Sequence, residues 1–259
     1  MATRKVDLNC DMGESFGAWR MGDDEHVLPH ITSANVACGF HAGDPRVMAR
    51  TVRRARELGV AVGAHPSFPD LVGFGRRNLD VTPEEARTDV LYQIGALSAF
   101  CRAEGVPLQH VKPHGQLNNL ALENRTLAEA IVDGVLAYDP SLIFVAYGGE
   151  LARVAEAKGL RVGHEVFADR AYNPDGTLVS RRIPGAVLHD PDRVVERAVQ
   201  MVLDGRVRAH DGSWLELQVD TICVHGDTPG AADLVQKLRA ALEAAGVAVV
   251  PLAQVLADR

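Results

Sequence analysis

From one end of the chain to the other, a short apolar run, a polar turn and an amphipathic helix follow one another. Few folds accommodate that alternation. The apolar runs fall at residues 6–11, 34–39, 60–65, 110–114, 142–148, 162–168 and 221–226. A last run at 247–252 reads as an eighth strand or a closing edge strand. Runs that are apolar on both faces suit a buried parallel sheet. After Asp44-Pro45, the residues Val47, Met48, Thr51, Val52, Ala55 and Leu58 share one helical face. Thr82-Pro83-Glu84-Glu85 supplies an N-cap, a proline at the first helical position and a glutamate placed for a capping box. Thr126 with Glu129 predicts a second box, and Thr228-Pro229 opens a helix presenting Leu234, Leu238, Ala241 and Leu242. Strands alternating with such helices make right-handed βαβ units. Seven units without a linker-like shift in composition predict one α/β domain over residues 1–259. The expected architecture is a (β/α) barrel with seven strands rather than eight, and a doubly wound open sheet is the rival.

Three connections are too long for plain turns: 12–32, 66–80 and 170–190. They carry Gly13, Gly17 and Gly22, then Gly73-Phe74-Gly75-Arg76-Arg77, then Arg170, Arg181 and Arg182. Long ordered loops in compact domains are usually functional. The stretch 207–217, with Asp211-Gly212 between alternating runs, predicts a decorating hairpin.

Composition narrows the partners. The chain is 47% apolar and 24% charged, with a net charge of −7 and no Lys/Arg block, which argues against nucleic acid. No apolar run could span a bilayer, and the first residues lack a basic start followed by an apolar stretch of signal length. A cytoplasmic protein is expected. Cys10, Cys38, Cys101 and Cys223 form no Cys-x-x-Cys pair and read as free thiols, Cys101 at helical spacing and the others near strand ends.

The chemistry gathers where strands end, which in a barrel is the carboxyl mouth. The first strand supplies Asp7, Asn9 and Asp11, then Glu14; the second runs into His41 and Asp44. The third ends at His65, with Asp70 beyond. The fourth reads Lys112-Pro113-His114-Gly115. The sixth supplies Glu165, Asp169 and Arg170, and the seventh His225-Gly226-Asp227. Asp7, Asn9 and Asp11 share parity, so all three point to one face, and the apolar Val6, Leu8 and Cys10 suit the helix layer opposite. Carboxylates aimed into a barrel need partners. Taken singly, Asp44 and Asp227 read as helix caps and Asp70 as a turn residue. Lys112 is the sharpest signal. It is one of four lysines against twenty-three arginines, and it lies in an apolar strand beside a proline. It can act as an electrophile toward a forming oxyanion or as a Schiff-base nucleophile, with His114 facing the same way to exchange a proton. Asp11, His41, His65 and His114 are candidate ligands of a divalent metal, although the metal-free acid/base cluster is the preferred reading. No GxxxxGK[ST] loop is present, and Gly148-Gly149 is too weak for a nucleotide fingerprint.

Several long motifs, in order, carry a resemblance: residues 7–14 (DLNCDMGE), 33–44 (SANVACGFHAGD), 63–67 (GAHPS), 72–77 (VGFGRR), 165–172 (EVFADRAY) and 223–229 (CVHGDTP). Over almost its whole length the chain resembles the LamB/YcsF family, which comprises the A subunit of bacterial 5-oxoprolinase. One segment departs. Where the family has Lys-Pro-His-Gly-Ala-Leu-Tyr-Asn, this chain has Gln116 and Asn118 in place of Ala and Tyr.

The resemblance implies a seven-stranded barrel of the glycoside hydrolase/deacetylase type. It further implies ATP-dependent opening of the lactam of 5-oxo-L-proline to L-glutamate, ADP and phosphate, with partner 5-oxoprolinase subunits B and C and a possible homo-oligomer. On this reading Asp7 or Asp11 orients or deprotonates water, Lys112 and His114 steady the oxyanion or phosphate, and His65 relays a proton. Arg76, Arg77 or Arg170 clamps a carboxylate or phosphate. Asn9, Glu14, His41, Glu165, Asp169, His225 and Asp227 complete the expected substrate or nucleotide contacts. The alternatives are a metal-dependent N-acyl deacetylase on the same barrel and a non-catalytic component that only binds substrate.

Overall fold

The computed structural model describes residues 4–226 and 230–258. Asp227 and the Thr228-Pro229 helix start therefore lie outside the described residues. Seven parallel strands stand side by side in chain order: β1 (Lys5–Met12), β2 (Ser33–Ala37), β3 (Ala61–His65), β4 (Leu108–Val111), β5 (Ile143–Ala146), β6 (Arg161–Phe167) and β7 (Thr221–Val224). β1 pairs with β2 on one side, Asp11 opposite Asn35, and with β7 on the other, Asn9 opposite Cys223. The sheet thus closes on itself, and the barrel prevails over the open sheet. β8 (Ala248–Val249) pairs only with Lys5 and Val6 among the described residues, so the last apolar run makes a short edge and adds no stave to the barrel.

The longer helices that pack around the ring are α1 (Pro45–Leu58), α2 (Pro83–Glu104), α3 (Gly115–Ala121), α4 (Arg125–Tyr138), α5 (Gly149–Ala157), α6 (Pro191–Asp204) and α7 (Ala231–Ala244). Asp44 caps α1 by accepting from the backbone N–H groups of Arg46 and Val47, and Thr82 with Glu85 forms the expected box on α2. The second box is displaced. Asn124, not Thr126, caps α4, because its side-chain oxygen already takes the Leu127 N–H at 3.1 Å. The hairpin appears as Arg206–Arg208 antiparallel to Trp214–Glu216.

Strand parity sorts the core. Val6, Leu8, Cys10 and Met12 are fully buried against the helices, while Asp7 and Asn9 are as deeply buried on the inner face. The interior is consequently polar through much of its height. At the floor it turns apolar, where Leu252, Val255 and Leu256 pack on Ile143 and Val145. Room there depends on a missing side chain, since a Cβ on Gly163 would come within 2.8 Å of Leu252.

Gly63 on β3 plays the same part higher up, because a Cβ there would lie 2.1 Å from the His110 ring. That ring fills the interior and donates from Nε2 to Asn35 Oδ1 at 2.8 Å. Gly63→Ala is expected to force His110 out of place and to cost roughly 1–3 kcal/mol or more, as overpacked interiors do. Chemical denaturation measures it, and an unchanged midpoint and slope would contradict this packing.

Candidate active site

The mouth of the barrel is built where the strands stop. β4 ends at Val111 because Pro113 has no N–H to offer the ladder. The chain nevertheless keeps its course along β3: Lys112 N donates to Ala64 O at 2.9 Å and His114 N to Pro66 O at 2.8 Å. Lys112 and His114, expected inside a longer strand, therefore stand on its extension, with both side chains over the barrel interior.

Lys112 Nζ lies 2.8 Å from Glu165 Oε1 and 3.0 Å from Asp11 Oδ1, and it also donates to Asn9 Oδ1 (3.2 Å) and Cys223 Sγ (3.3 Å). Burial disfavours its charge, but the carboxylates of Asp11 and Glu165 in direct contact overcome that and hold its pKa well above the usual lysine value. It stays an ammonium. In that form it suits the electrophile role, whereas Schiff-base attack first needs a neighbouring base to take its proton. Burial likewise opposes the Asp11 charge, yet His65 and Lys112 keep its carboxyl well below the carboxylate range.

Beneath Lys112 a hydrogen-bonded relay runs down the barrel. Asn35 Nδ2 bridges Asn9 Oδ1 and Asp11 Oδ1 at 2.7 and 2.9 Å. Asn9 Nδ2 donates to Thr221 Oγ1 at 2.7 Å, and Thr221 donates to Asp7 at 2.5 Å. Asp7 also accepts from Thr32 and Ser33, both at 2.6 Å. Fully buried and saturated with hydroxyls, Asp7 has no access to the mouth, so the expectation that it handles water is corrected. Asn9 supports Lys112 and does not border the cavity.

Beside Asp11 stand three imidazoles. His41 and His114 stack at 3.9 Å between centroids, and His65 meets them edge-on. His65 Nδ1–H donates to the Lys112 carbonyl at 2.6 Å, which leaves Nε2 facing Asp11 Oδ2 at 3.3 Å. Burial, joined by the neighbouring imidazoles, lowers His41 and His114 well below the ordinary histidine value, so both are neutral. Their Nε2 atoms face Glu14 Oε1 at 3.5 and 3.8 Å. The 66–80 loop presses on this stack. Phe74, held at φ +54°, sets its ring edge against both histidines, and Gly75 leaves no room for a Cβ, which would lie 2.9 Å from His114 Nδ1. A left-handed non-glycine residue is the kind of strain that persists where surrounding structure imposes it.

A cavity of about 370 Å³ opens above these groups. Asp11, His65, Lys112, His114, Glu165, Arg76, Arg170 and His225 all line it, so widely separated stretches of chain converge. Arg170 is buried; its Nη2 donates to Val179 O at 2.8 Å, while its Nε makes no hydrogen bond among the described residues. His225 Nδ1–H donates to Asp169 Oδ2 at 2.9 Å, which orients the ring and, against the cost of burial, lowers the Asp169 carboxyl. Glu14 and His41 lie behind the wall. Arg77 is not brought to the site: it is tied to Asp70, which also accepts from Gly73 N and so acts as the turn residue of that loop. Asp44 likewise serves its cap and the Gly17 N–H.

Sequence reasoning missed part of the wall. Tyr147, Phe167, Asn119 and Cys223 border the cavity together with Gln116 and Asn118. Parity was the available signal, because Tyr147 follows Val145, Phe167 follows Glu165, and Cys223 lies between Thr221 and His225. Burial pushes the Tyr147 hydroxyl up to about 12, so it remains a donor.

The fold and the site define a seven-stranded β/α-barrel protein with a buried ammonium, an imidazole cluster and carboxylates at its carboxyl mouth. The LamB/YcsF family profile matches residues 6–257, and the chain belongs to that family. It is 59% identical over 251 residues to the 5-oxoprolinase A subunit of Thermococcus onnurineus, covering 96% of this chain and 98% of that one. The protein of the same name from Syntrophobacter fumaroxidans is 56% identical over 249 residues, 96% of this chain and 98% of the relative. The crystal structure of a lactam utilization protein from Thermus thermophilus superposes with a TM-score of 0.92 at 51% identity, over 95% of this chain and 99% of that one. A T48 deacetylase solved with substrate, at 16% identity and a TM-score of 0.54 over 99% of this chain and 92% of that one, shares the fold alone.

The buried acid beneath the site has a pH signature. Burial raises Asp7 from 3.8 to about 6 despite its hydroxyl donors. A raised folded-state value means stabilisation that is complete below the unfolded pKa and lost as pH rises through the folded one. That displacement is worth on the order of 3 kcal/mol. Relative to Asp7→Asn, the wild type should lose about that much stability between roughly pH 4 and 7. Parallel denaturation curves for the two proteins measure it; a stability difference that does not vary with pH would mean Asp7 titrates as an ordinary carboxylate.

Proposed function

We propose that this chain acts as the A subunit of an ATP-dependent 5-oxoprolinase, opening the lactam of 5-oxo-L-proline to L-glutamate with ADP and phosphate, in complex with subunits B and C. The names borne by its relatives support the reading, and one observation carries it chemically. An ammonium is held at the cavity floor between two carboxylates, a group suited to meeting negative charge as it develops on an amide oxygen. An unstrained lactam is a poor electrophile, and ring closure of glutamate opposes its hydrolysis, which is why ATP is needed. Phosphorylating the lactam oxygen makes an activated imidate. Water then adds to that carbon, the C–N bond breaks with a proton going to the departing amine, and a second water releases phosphate.

The residues divide these tasks. Lys112 stabilises the negative oxygen. Asp11 orients the attacking water, and His65, whose Nε2 faces that carboxylate at 3.3 Å, takes and relays its proton. His225, oriented by Asp169, is placed to return one to the amine. Arg170 and Arg76 stand on the same cavity wall to meet the substrate carboxylate. A neighbouring cavity of about 800 Å³ shares Tyr147, Glu165, Arg170 and Arg181 with the first and provides an approach for the phosphate donor. The absence of a GxxxxGK[ST] loop fits a nucleotide site shared with, or housed in, the partner subunits.

The test is glutamate and phosphate release from 5-oxo-L-proline plus ATP, first by this chain alone and then with B and C. Turnover is expected only in the complex. Asp11→Asn and Lys112→Ala should each lower it at least about 100-fold, the scale of losing a transition-state charge partner, with the folded state retained by circular dichroism. Near-normal turnover in both variants would sink the assignment. Loss of 5-oxo-L-proline binding with intact phosphoryl transfer by the partners would instead reduce this chain to a binding component.

A further inference from the structure

We propose that Glu14, His41, His65 and His114 form a binding site for one divalent transition-metal cation, set in the cavity wall beside Asp11. One donor atom from each of the four lies within 4.8 Å of the others; the three histidines are buried and the Glu14 side chain is 9% exposed. The set differs from the one expected from sequence. Three histidines are shared with it, but the carboxylate facing His41 and His114 belongs to Glu14, while Asp11 approaches His65 from the cavity side.

Hydrogen bonding within the cluster is incomplete in a way that points to a cation. The Nε2 atoms of His41 and His114 stand 3.5 and 3.8 Å from the same Glu14 oxygen, too far for good hydrogen bonds. Among the described residues neither ring nitrogen of His41 finds a hydrogen-bond partner, although the residue is 1% exposed. Buried polar atoms without partners call for an explanation, and a metal-ligand position is one. His65 Nδ1 donates to the Lys112 carbonyl at 2.6 Å, while its Nε2, 3.3 Å from Asp11 Oδ2, finds no hydrogen-bond partner among the described residues. That is how a metal-ligating histidine is usually held, with its other nitrogen fixed by a backbone acceptor. His114 has a comparable support, since its Nδ1 lies 3.3 Å from Ser67 Oγ. Phe74 and Gly75 pack the rings from outside and keep the spacing.

Three imidazoles and one carboxylate select zinc, cobalt, iron or manganese over magnesium and calcium, which prefer all-oxygen shells. A cation here would face the cavity through His65 and His114 and supply Lewis-acid character next to Asp11. The site stands independently of the lactam reading, because its test uses neither 5-oxo-L-proline nor ATP.

Metal-stripped full-length protein is titrated with Co²⁺ and followed by calorimetry and visible absorption, then challenged with Zn²⁺, Mg²⁺ and Ca²⁺. One equivalent of Co²⁺ is expected, displaced by Zn²⁺ and not by millimolar Mg²⁺ or Ca²⁺. Glu14→Gln, the conservative change, and His41→Ala should each weaken Co²⁺ binding by roughly 10–100-fold or more, the range seen when even supporting groups of metal sites are lost. The exposed His26→Ala should bind as the wild type does. Should one variant fail to fold, the other still decides the location. No binding by the wild type up to millimolar Co²⁺, or equal affinity in wild type, Glu14→Gln and His41→Ala, overturns the proposal.

Discussion

The ion triad of Asp11, Lys112 and Glu165 is the interaction on which the rest of this molecule turns. Burying an ammonium is tolerable only with opposite charge in direct contact and hydrogen bonds to the remaining atoms. The barrel interior is organised to meet that requirement. Asn9 and Asn35 orient Asp11 and Lys112, His110 holds Asn35, and Thr221 passes the network down to Asp7. Truncating any one member leaves another polar group unpaired at depth, where the penalty is largest. The polar interior is therefore a cooperative support for one charge at the mouth.

The long loops complete what the strands begin. Asp70 and Arg77 close the 66–80 connection so that Phe74 and Gly75 reach the imidazole stack. Arg197 on α6 donates to the carbonyls of Ala168 and Arg170, fixing the base of the 170–190 connection and with it the Arg170 guanidinium. Glycines serve where backbones crowd. A Cβ on Gly43 would meet the carbonyls of both Ala37 and Gly13 at 2.9 Å, so the loops after β1 and β2 meet only because that residue has none. Functional groups in loops gain their precision from this bracing.

Much of the site is legible in the amino-acid order. Parity along β1 points Asp7, Asn9 and Asp11 inward, and the rarity of lysine singles out Lys112. What parity cannot supply is depth. Asp7 and Asp11 share a face, but the rise along the strand places one in a sealed hydroxyl nest and the other at an open cavity. Nor does spacing reveal competition between partners. Arg77 reads as a clamp from its loop, yet Asp70, earlier in the same loop, occupies its guanidinium. Tyr147 carries no such marker because β5 ends in an apolar run without titratable groups, although alternation from Val145 directs it to the mouth.

The sequence by itself determined the alternation of strand and helix, the inward row of polar residues on β1, most helix starts and the family. Each of these is local: periodicity, capping and motif order are written within a few consecutive residues. Only the tertiary structure decided that seven strands close, that Glu14 and not Asp11 faces the stacked histidines, and that Lys112 stands between the carboxylates of Asp11 and Glu165. These outcomes depend on distances between groups about a hundred residues apart in the chain, and on the low dielectric they share once water is excluded.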